Sequence, residues 1–598
     1  MSSQQRQSIR VGGASGFWGE SDMAVPQLLA AGNVDYLVFD YLAEITMSIM
    51  ARARATDPAK GYATDFVTAA LKPHLRKIAE AGVKVISNAG GVNPQACGAA
   101  VRELVKASGL DLSVAVITGD DLIDRLSDFA DCTAMDTGAA FPEPAKVASA
   151  NAYLGAFPIA EALARGADIV ITGRCVDSAV TLGACIHAFG WTRDDYDRLA
   201  GGSLAGHIIE CGPQSTGGNF TDWQSIADVE TIGYPIAEIR ADGSFDLTKA
   251  DGTGGAVTTA TVGEQMLYEI GDPQAYMLPD VICDFSAVTL AQTAPTRVRV
   301  AGARGRPASD TYKVSLTWSD GWRAGALWFF IGEDAAAKAR AFGNAGIGRA
   351  RAKLRAMNVP DFDDTLVEIL GDESHYGDFA RPQNAREVVL KVAVKHQDPR
   401  AAGLLLKEVT GLALSAPPGL TLFSGGRPKP SPVVRLFSFL ADKQKLPIDL
   451  DLDGTHNALG AESGRAFDRA ALPRPAPPSL PTSSERLIEV PLIRLAQARS
   501  GDKGDNANIG VLPRRPEYAA WIWQALTEQV VAERFAHFLK GQVERFYLPG
   551  TGSINFLLHH ALGGGGVASL RNDPQGKSYA QVLLQTPVAI PASLVEAF

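Results

Sequence analysis

Asp40 and Glu44 stand four residues apart, directly after the apolar run Asp35-Tyr36-Leu37-Val38-Phe39. If a helix begins at Asp40, the two carboxylates share one face. Such a pair supplies a general base or binds a divalent cation. The alternative is that Asp40 caps the helix and Glu44 is solvated. Arg174 is placed similarly, after the run Asp168-Ile169-Val170-Ile171-Thr172 and Gly173. Its planar fork suits a carboxylate held bidentately. Asp177, three residues on, is either a second acid or the ion-pair partner of Arg174. Cys175 and Cys211 are candidate nucleophiles. A thiolate needs a nearby cation or base, and Arg174 adjoins Cys175 while His207 precedes Cys211 by four residues. Inert buried thiols are the alternative.

Glycine-rich turns supply the candidate binding groups. Ile9-Arg10-Val11 runs into Gly12-Gly13-Ala14-Ser15-Gly16, where backbone N–H groups can hold a phosphate or carboxylate. Gly12, Gly13, Ser15 and Gly16 are therefore expected to touch substrate. Gly13, Gly16 and Gly19 recur every third residue, which is not the dinucleotide fingerprint, and the P-loop pattern is absent from this turn. Asn88, Gly90 and Gly91 follow the run Lys84–Ser87. Thr216, Gly217, Gly218 and Asn219 occupy a polar loop after Cys211. Arg499 and Lys503 crowd the charged stretch Ala498–Asn506, which is read as a binding loop. No histidine pair has the spacing of a helical zinc site, and no metal ligand set is assigned.

The elements that position these residues follow from periodicity. From Arg10 to about Phe189, short apolar runs alternate with amphipathic helical stretches such as Ala63–Ala81, Gln95–Ser108 and Tyr153–Arg165. That order predicts an α/β fold with a doubly wound, mainly parallel sheet. Its strands all end on one edge, where ligands bind, so the turns after five strands are expected to share a cleft. Thr261-Val262-Gly263-Glu264 reads as a capping box with Glu264 at its third helical position.

Residues 1–290 form the α/β unit on this reading. Residues 291–464 read as an α+β region, with strands at Tyr312–Trp318 and Ala324–Ile331 and a long helix over Glu333–Met357. Residues 465–486 carry Pro473, Pro475, Pro477, Pro478 and Pro481, and form a semi-rigid linker. Residues 487–598 give the order ββαβαβ, with a helical patch at Ile554–Ala561 and a strand at Tyr579–Thr586, and suggest a small ferredoxin-like α+β domain.

Composition narrows the partners. The chain has 598 residues, 46% of them hydrophobic and 20% charged, with a net charge of −10. The acidic balance and the lack of a basic run argue against nucleic acid. No apolar stretch approaches the ~20 residues that span a bilayer. The segment Met1–Arg10 lacks the apolar core of a secretion signal, which predicts a cytoplasmic protein. The six cysteines form no CxxC pair, so disulfide and zinc frameworks are poor readings. A small-molecule substrate and a homo-oligomer are expected.

Several of these motifs recur together and in order. They are Gly12-Gly13-Ala14-Ser15-Gly16-Phe17-Trp18-Gly19-Glu20, Asp40-Tyr41-Leu42-Ala43-Glu44, Asn88-Ala89-Gly90-Gly91-Val92-Asn93-Pro94, Thr172-Gly173-Arg174-Cys175-Val176-Asp177-Ser178, Glu210-Cys211-Gly212-Pro213-Gln214-Ser215-Thr216-Gly217-Gly218-Asn219 and Thr253-Gly254-Gly255. In this the chain resembles the acyclic terpene utilisation AtuA family. Ala498–Asn506 resembles the ferredoxin-like domain fused to some members. The resemblance implies a place in the degradation of citronellol- or geraniol-type compounds. It further implies action on a branched 3-hydroxyacyl thioester, as an acetate-releasing lyase or a hydratase, with coenzyme A entering as part of the substrate. It brings no catalytic residue set with it. A nicotinamide-dependent oxidoreductase and a non-catalytic subunit of a multi-enzyme complex remain the rival readings.

Overall fold

A computed structural model describes residues 6–20, 22–382, 384–422, 425–426, 428–482 and 484–595. Residues 1–5, half of the stretch expected to lack a secretion signal, lie outside the described residues.

The expected strands are present, and their neighbours refine the sheet. Ser8–Gly13, Tyr36–Phe39, Lys84–Ser87, Ile169–Thr172 and Val114–Thr118 lie side by side in that order and pair in parallel. Their side chains are apolar towards both faces and almost wholly buried, as strands covered on two sides require. The sheet does not stop there. Pro235–Arg240, Phe245–Lys249, Arg297–Ala301 and Thr289–Ala294 extend one edge, and Ile448–Leu452 and Thr455–Leu459 the other. All six join by antiparallel pairing, so the sheet is parallel only in its middle five of eleven strands.

Strands from both sides of residue 290 thus share one sheet. The exchange is mutual, because Val147–Ala152 pairs with a second, six-stranded sheet built around Thr311–Ile331. That strand was expected as two. It is continuous because Ser431–Asp442 pairs along its first part and Glu387–His396 along its second. The Asp320-Gly321 bend between them is absorbed as a bulge between Ser319 and Trp322. The helices Ala335–Ala356 and Pro399–Gly411 bury Phe342, Ala350, Leu405 and Val409 against Phe330 and Leu390 of this sheet.

The C-terminal unit is a four-stranded antiparallel sheet in the order Ala496–Lys503, Asn506–Pro513, Ser553–Leu558, Val543–Leu548. Three expectations are corrected here. Ala498–Asn506 is a hairpin strand and its tight Gly504-Asp505 turn, because Lys503 pairs with Asn506. Ser553–Leu558 is a strand, since an unbroken buried run of six residues does not distinguish helix from strand. Tyr579–Leu583 is a helix, and its buried Tyr579, Val582 and Leu583 follow helical spacing. Leu487–Pro491 pairs with Pro587–Pro591 and closes the unit. Among the described residues no helix is long and apolar enough to cross a membrane.

Candidate functional site

The carboxyl ends of the parallel strands deliver the polar groups. Asp40 follows Tyr36–Phe39 and is buried. Asn88 follows Lys84–Ser87; its Nδ2 donates to Asp40 Oδ1 at 2.5 Å and its Oδ1 accepts from the Tyr41 N–H at 2.8 Å. The next helix is Glu44–Thr56, so it starts four residues later than the paired-acid reading required. Asp40 and Glu44 are not neighbours on one helix face. Glu44 instead accepts from Tyr153 Oη at 2.8 Å and lies 3.7 Å from Lys313 Nζ. Burial works to raise its pKa, but Lys313 and Arg174 overcome it and hold Glu44 at about 2.

Asp40 finds different partners. One carboxylate oxygen each from Asp40, Asp177 and Glu210 lies within 4.8 Å of the others. Asp177 comes from the turn after Ile169–Thr172, and Glu210 ends the helix Tyr196–Ile209. Burial and the charge of Asp177 push both Asp40 and Glu210 well above the usual carboxylate range. Such a trio either shares protons or holds a cation. Its residues are the ones placed to ligate a metal.

Two cations border the trio. Arg174 is 4% exposed and donates from Nη1 to Asp177 Oδ1 at 2.6 Å and to the Cys175 carbonyl at 2.8 Å. Its guanidinium lies 4.1 Å from the Tyr153 ring centre. Lys503 reaches in from the C-terminal hairpin, 3.8 Å from Glu269 Oε2 and 5.9 Å from the Tyr276 ring centre. Burial alone would lower the pKa of Lys503; Tyr276, Glu269, Asp177 and Glu210 outweigh it and keep the ammonium charged. Lys577 bridges Glu269 and Asp502 at 3.0 and 3.1 Å. The site thus lies where the large sheet meets the C-terminal unit.

The glycine turns have another geometry. Gly12 and Gly13 lie inside the strand Ser8–Gly13. A Cβ on Gly13 would sit 2.5 Å from the Ile209 carbonyl oxygen, and one on Gly16 would sit 2.9 Å from the Cys211 backbone. These positions let a helix end pack on the strand. The Gly16 N–H donates to Glu20 Oε2 at 2.6 Å, so a carboxylate of the chain already fills the cradle. A small recess beside Ser15 and Tyr41 is lined by Glu20, Asp22 and Asp65. Three acids there repel a phosphate. The Gly90 N–H is taken by the Thr172 carbonyl and the Gly91 N–H by the Asn88 carbonyl.

Of the remaining sequence candidates, the loop residues and Arg499 are engaged elsewhere, and the two thiols adjoin the trio. Thr216 Oγ1 donates to the Gly233 and Pro213 carbonyls. Gly217 has a positive φ of 114°, the Gly218 carbonyl accepts from Arg499, and Asn219 is exposed. Arg499 is buried in the contact between units and pairs with Glu264. Glu264 is not the third residue of its helix. That helix is Thr259–Leu267, capped by Thr258, whose Oγ1 accepts from the Thr261 N–H. Cys175 and Cys211 are deprived of a thiolate by burial, which pushes Cys175 to about 12 and Cys211 well above the usual thiol range.

The comparisons agree with the ordered motifs. A model described as "Acyclic terpene utilisation family protein AtuA" matches residues 9–452. The chain belongs to the AtuA family. A second model, described as the AtuA ferredoxin-like domain, matches residues 490–589 and takes in the hairpin that carries Arg499 and Lys503. No curated protein and no solved structure matches the chain. In this AtuA family member, Glu210, Glu269, Tyr276 and Lys577 border the site although none was selected from sequence. Glu210 opens a quoted motif, but the thiol beside it drew the attention. Lys577 lies in no motif, and only the fold brings it there.

Proposed function

We propose that the chain is a lyase or hydratase acting on a branched 3-hydroxyacyl thioester. The observation that carries this reading is the convergence of Asp40, Asp177 and Glu210 beside Arg174 and Lys503. Buried carboxyl groups that repel one another keep a protonated and an ionised form side by side, the pairing that acid–base chemistry needs. Cations alongside them stabilise an enolate.

For carbon–carbon cleavage, an ionised acid of the trio takes the proton of the substrate's 3-hydroxyl. The C–O bond becomes a carbonyl, the C2–C3 bond breaks, and its electron pair leaves as the thioester enolate. Protonation at C2 by the same cluster completes the step. For dehydration, the base takes the C2 proton and a protonated neighbour delivers a proton to the departing hydroxyl, giving an enoyl thioester and water. Both routes need one acid and one base, and a mutually repelling trio holds both forms together.

The oxidoreductase reading is weakened by the Glu20 carboxylate on the Gly16 N–H and by the acidic cavity beside it. A non-catalytic subunit would have no use for buried acids at this cost. The test is incubation of the purified full chain with 3-hydroxy-3-methylglutaryl-CoA and longer branched analogues. Mass spectrometry should detect a shortened or dehydrated thioester. Calorimetry that finds no binding of any CoA thioester or polycarboxylate would overturn the reading.

A further inference from the structure

Glu269 follows the helix Thr259–Leu267 and has a positive φ of 55°. A residue other than glycine keeps that conformation only where its surroundings hold it. What holds Glu269 comes from the C-terminal unit. Asn508 and Asn555 lie inside the paired strands Asn506–Pro513 and Ser553–Leu558, and both are wholly buried. Asn508 Oδ1 accepts from the Glu269 N–H at 2.8 Å, and its Nδ2 donates to the Leu267 carbonyl at 2.7 Å. The same Nδ2 donates to Asn555 Oδ1 at 2.9 Å, which orients both amides. Asn555 Nδ2 donates to the carbonyls of Ile270 and Gly271, at 2.8 and 2.6 Å. Two buried amides of one sheet therefore fasten the backbone on either side of Glu269. Polar side chains inside a core need such partners, and here the turn supplies them.

The turn aims the Glu269 carboxylate at two ammonium groups. Oε1 lies 3.0 Å from Lys577 Nζ, and Oε2 lies 3.8 Å from Lys503 Nζ. Lys577 is held further by Asp502 Oδ1 at 3.1 Å and by Tyr268 Oη. Lys503 is not. Among the described residues, Glu269 is its one ion-pair partner, and its Nζ donates no hydrogen bond. Its long stem leaves the ammonium free to move unless a charge fixes it. Burial works against that ammonium, and Tyr276, Glu269, Asp177 and Glu210 sustain it. A φ of ordinary sign would turn the Cα–Cβ bond of Glu269 to another side of the backbone. The direction of its carboxylate therefore depends on the two asparagines.

We propose that Glu269 is a positioning residue for the Lys503 ammonium, and that Asn508 and Asn555 set Glu269, so that the acid site is complete only when the C-terminal unit is seated on residues 267–271. This deepens the reading of the trio as an acid–base centre with cations beside it, and rests on it.

Acetylation of the purified full chain by acetic anhydride, read by peptide mass spectrometry, tests the proposal without substrate. Only the neutral amine reacts, so an ammonium held by a carboxylate is slow. Glu269→Gln should speed acetylation of Lys503 about tenfold. Asn508→Ala should do the same although the carboxylate is retained. Lys443, buried beside the Pro279 carbonyl, should stay protected in both variants. If Asn508→Ala does not fold by near-UV circular dichroism, Asn555→Ala takes its place, and Glu269→Gln still decides. Lys503 acetylated at the parent rate in these variants, or a rise shared by Lys443, would overturn the proposal. Where a thioester is turned over, Glu269→Gln should lower kcat about tenfold with KM within about twofold. Turnover with an unchanged Lys503 overturns the positioning and leaves the enzymatic reading standing. A selectively exposed Lys503 without turnover of any thioester does the reverse.

Discussion

Arg499, on the C-terminal hairpin, donates from Nε and Nη2 to Glu264 Oε2 in the helix Thr259–Leu267, at 3.1 and 3.0 Å. Both side chains are almost fully buried, at 4% and 0% exposure. Gln214 and the Gly218 carbonyl accept further bonds from the same guanidinium. A buried pair is costly to half-remove, because the survivor is a charge without water. Arg499→Met should destabilise the chain by about 3–5 kcal/mol and open the 465–486 stretch to limited proteolysis. Adding Glu264→Met should restore much of the loss. A single variant as stable and as protease-resistant as the parent would show that the pair does not fasten the two units.

The acid trio makes a prediction about rate and one about pH. Glu210→Gln and Asp40→Asn should each lower kcat by about 10²–10⁴-fold with a smaller change in KM. Asp177→Asn acts differently. Its charge helps to raise Asp40 and Glu210, so its loss lets both ionise at lower pH. The acidic limb of the pH–rate profile should move to lower pH in that variant. A limb that stays in place would separate Asp177 from the titration.

Arg174 borders the trio, and its burial decides which variant is informative. Arg174→Ala would leave Asp177 without its 2.6 Å partner and Tyr153 without its stacked cation. Arg174→Lys keeps the charge but loses the fork. It should weaken dicarboxylate binding about tenfold while the thermal midpoint changes little. Unchanged affinity in calorimetry would take Arg174 out of the anion site.

The thiols should be inert. Burial holds Cys175 at about 12, and Thr172 Oγ1 is the only hydrogen-bond partner of its Sγ among the described residues. Cys211 is also raised well above the usual thiol range, with Glu210 beside it adding to burial. Cys175→Ala and Cys211→Ala should each keep kcat within about threefold of the parent. Iodoacetamide at neutral pH should leave both unlabelled in the folded chain. Rapid labelling with loss of activity would reinstate a nucleophilic thiol.

The parallel strands and their polar ends were legible in sequence because short apolar runs bounded by Gly, Asn and Asp have few other readings. That is why Asp40, Asn88, Arg174 and Asp177 were found. The pairing of Asp40 with Glu210 was not legible, since 170 residues separate them and only the packing of the helix Tyr196–Ile209 joins them. Glycines misled for a related reason. A glycine that admits a ligand and one that admits a neighbouring backbone look alike in sequence, and Gly13 and Gly16 are of the second kind. The strand at Ser553–Leu558 was missed because a fully buried run has no periodicity to read.

Stability should rise on mild acidification, and Asp120 is the residue through which to see it. It accepts from the Arg174 N–H and from Asn151 Nδ2, both at 2.8 Å, yet burial lifts its pKa from 3.8 to about 7. Asp280 is lifted to about 7 and Asp502 to about 6, again chiefly by burial. An acid raised by folding holds a proton that the unfolded chain has released. Between about pH 4 and 7 the folded state therefore binds more protons, and stability falls as pH rises, by up to about 1.4 kcal/mol per pH unit for each such group. Glu44 runs the other way only as pH falls from 4.5 towards about 2, and His207, which burial holds at about 4, opposes the raised acids once pH falls below about 6.5. Across the window from about pH 8 to about pH 6.5 the raised acids dominate. The thermal midpoint should be higher at the acidic end, and Asp120→Asn should flatten the slope by removing one titrating group. A midpoint that falls on acidification within this window, or a slope untouched by Asp120→Asn, would mean that Asp120 is ionised in the folded protein and that Arg174 and Asn151 hold it as a carboxylate.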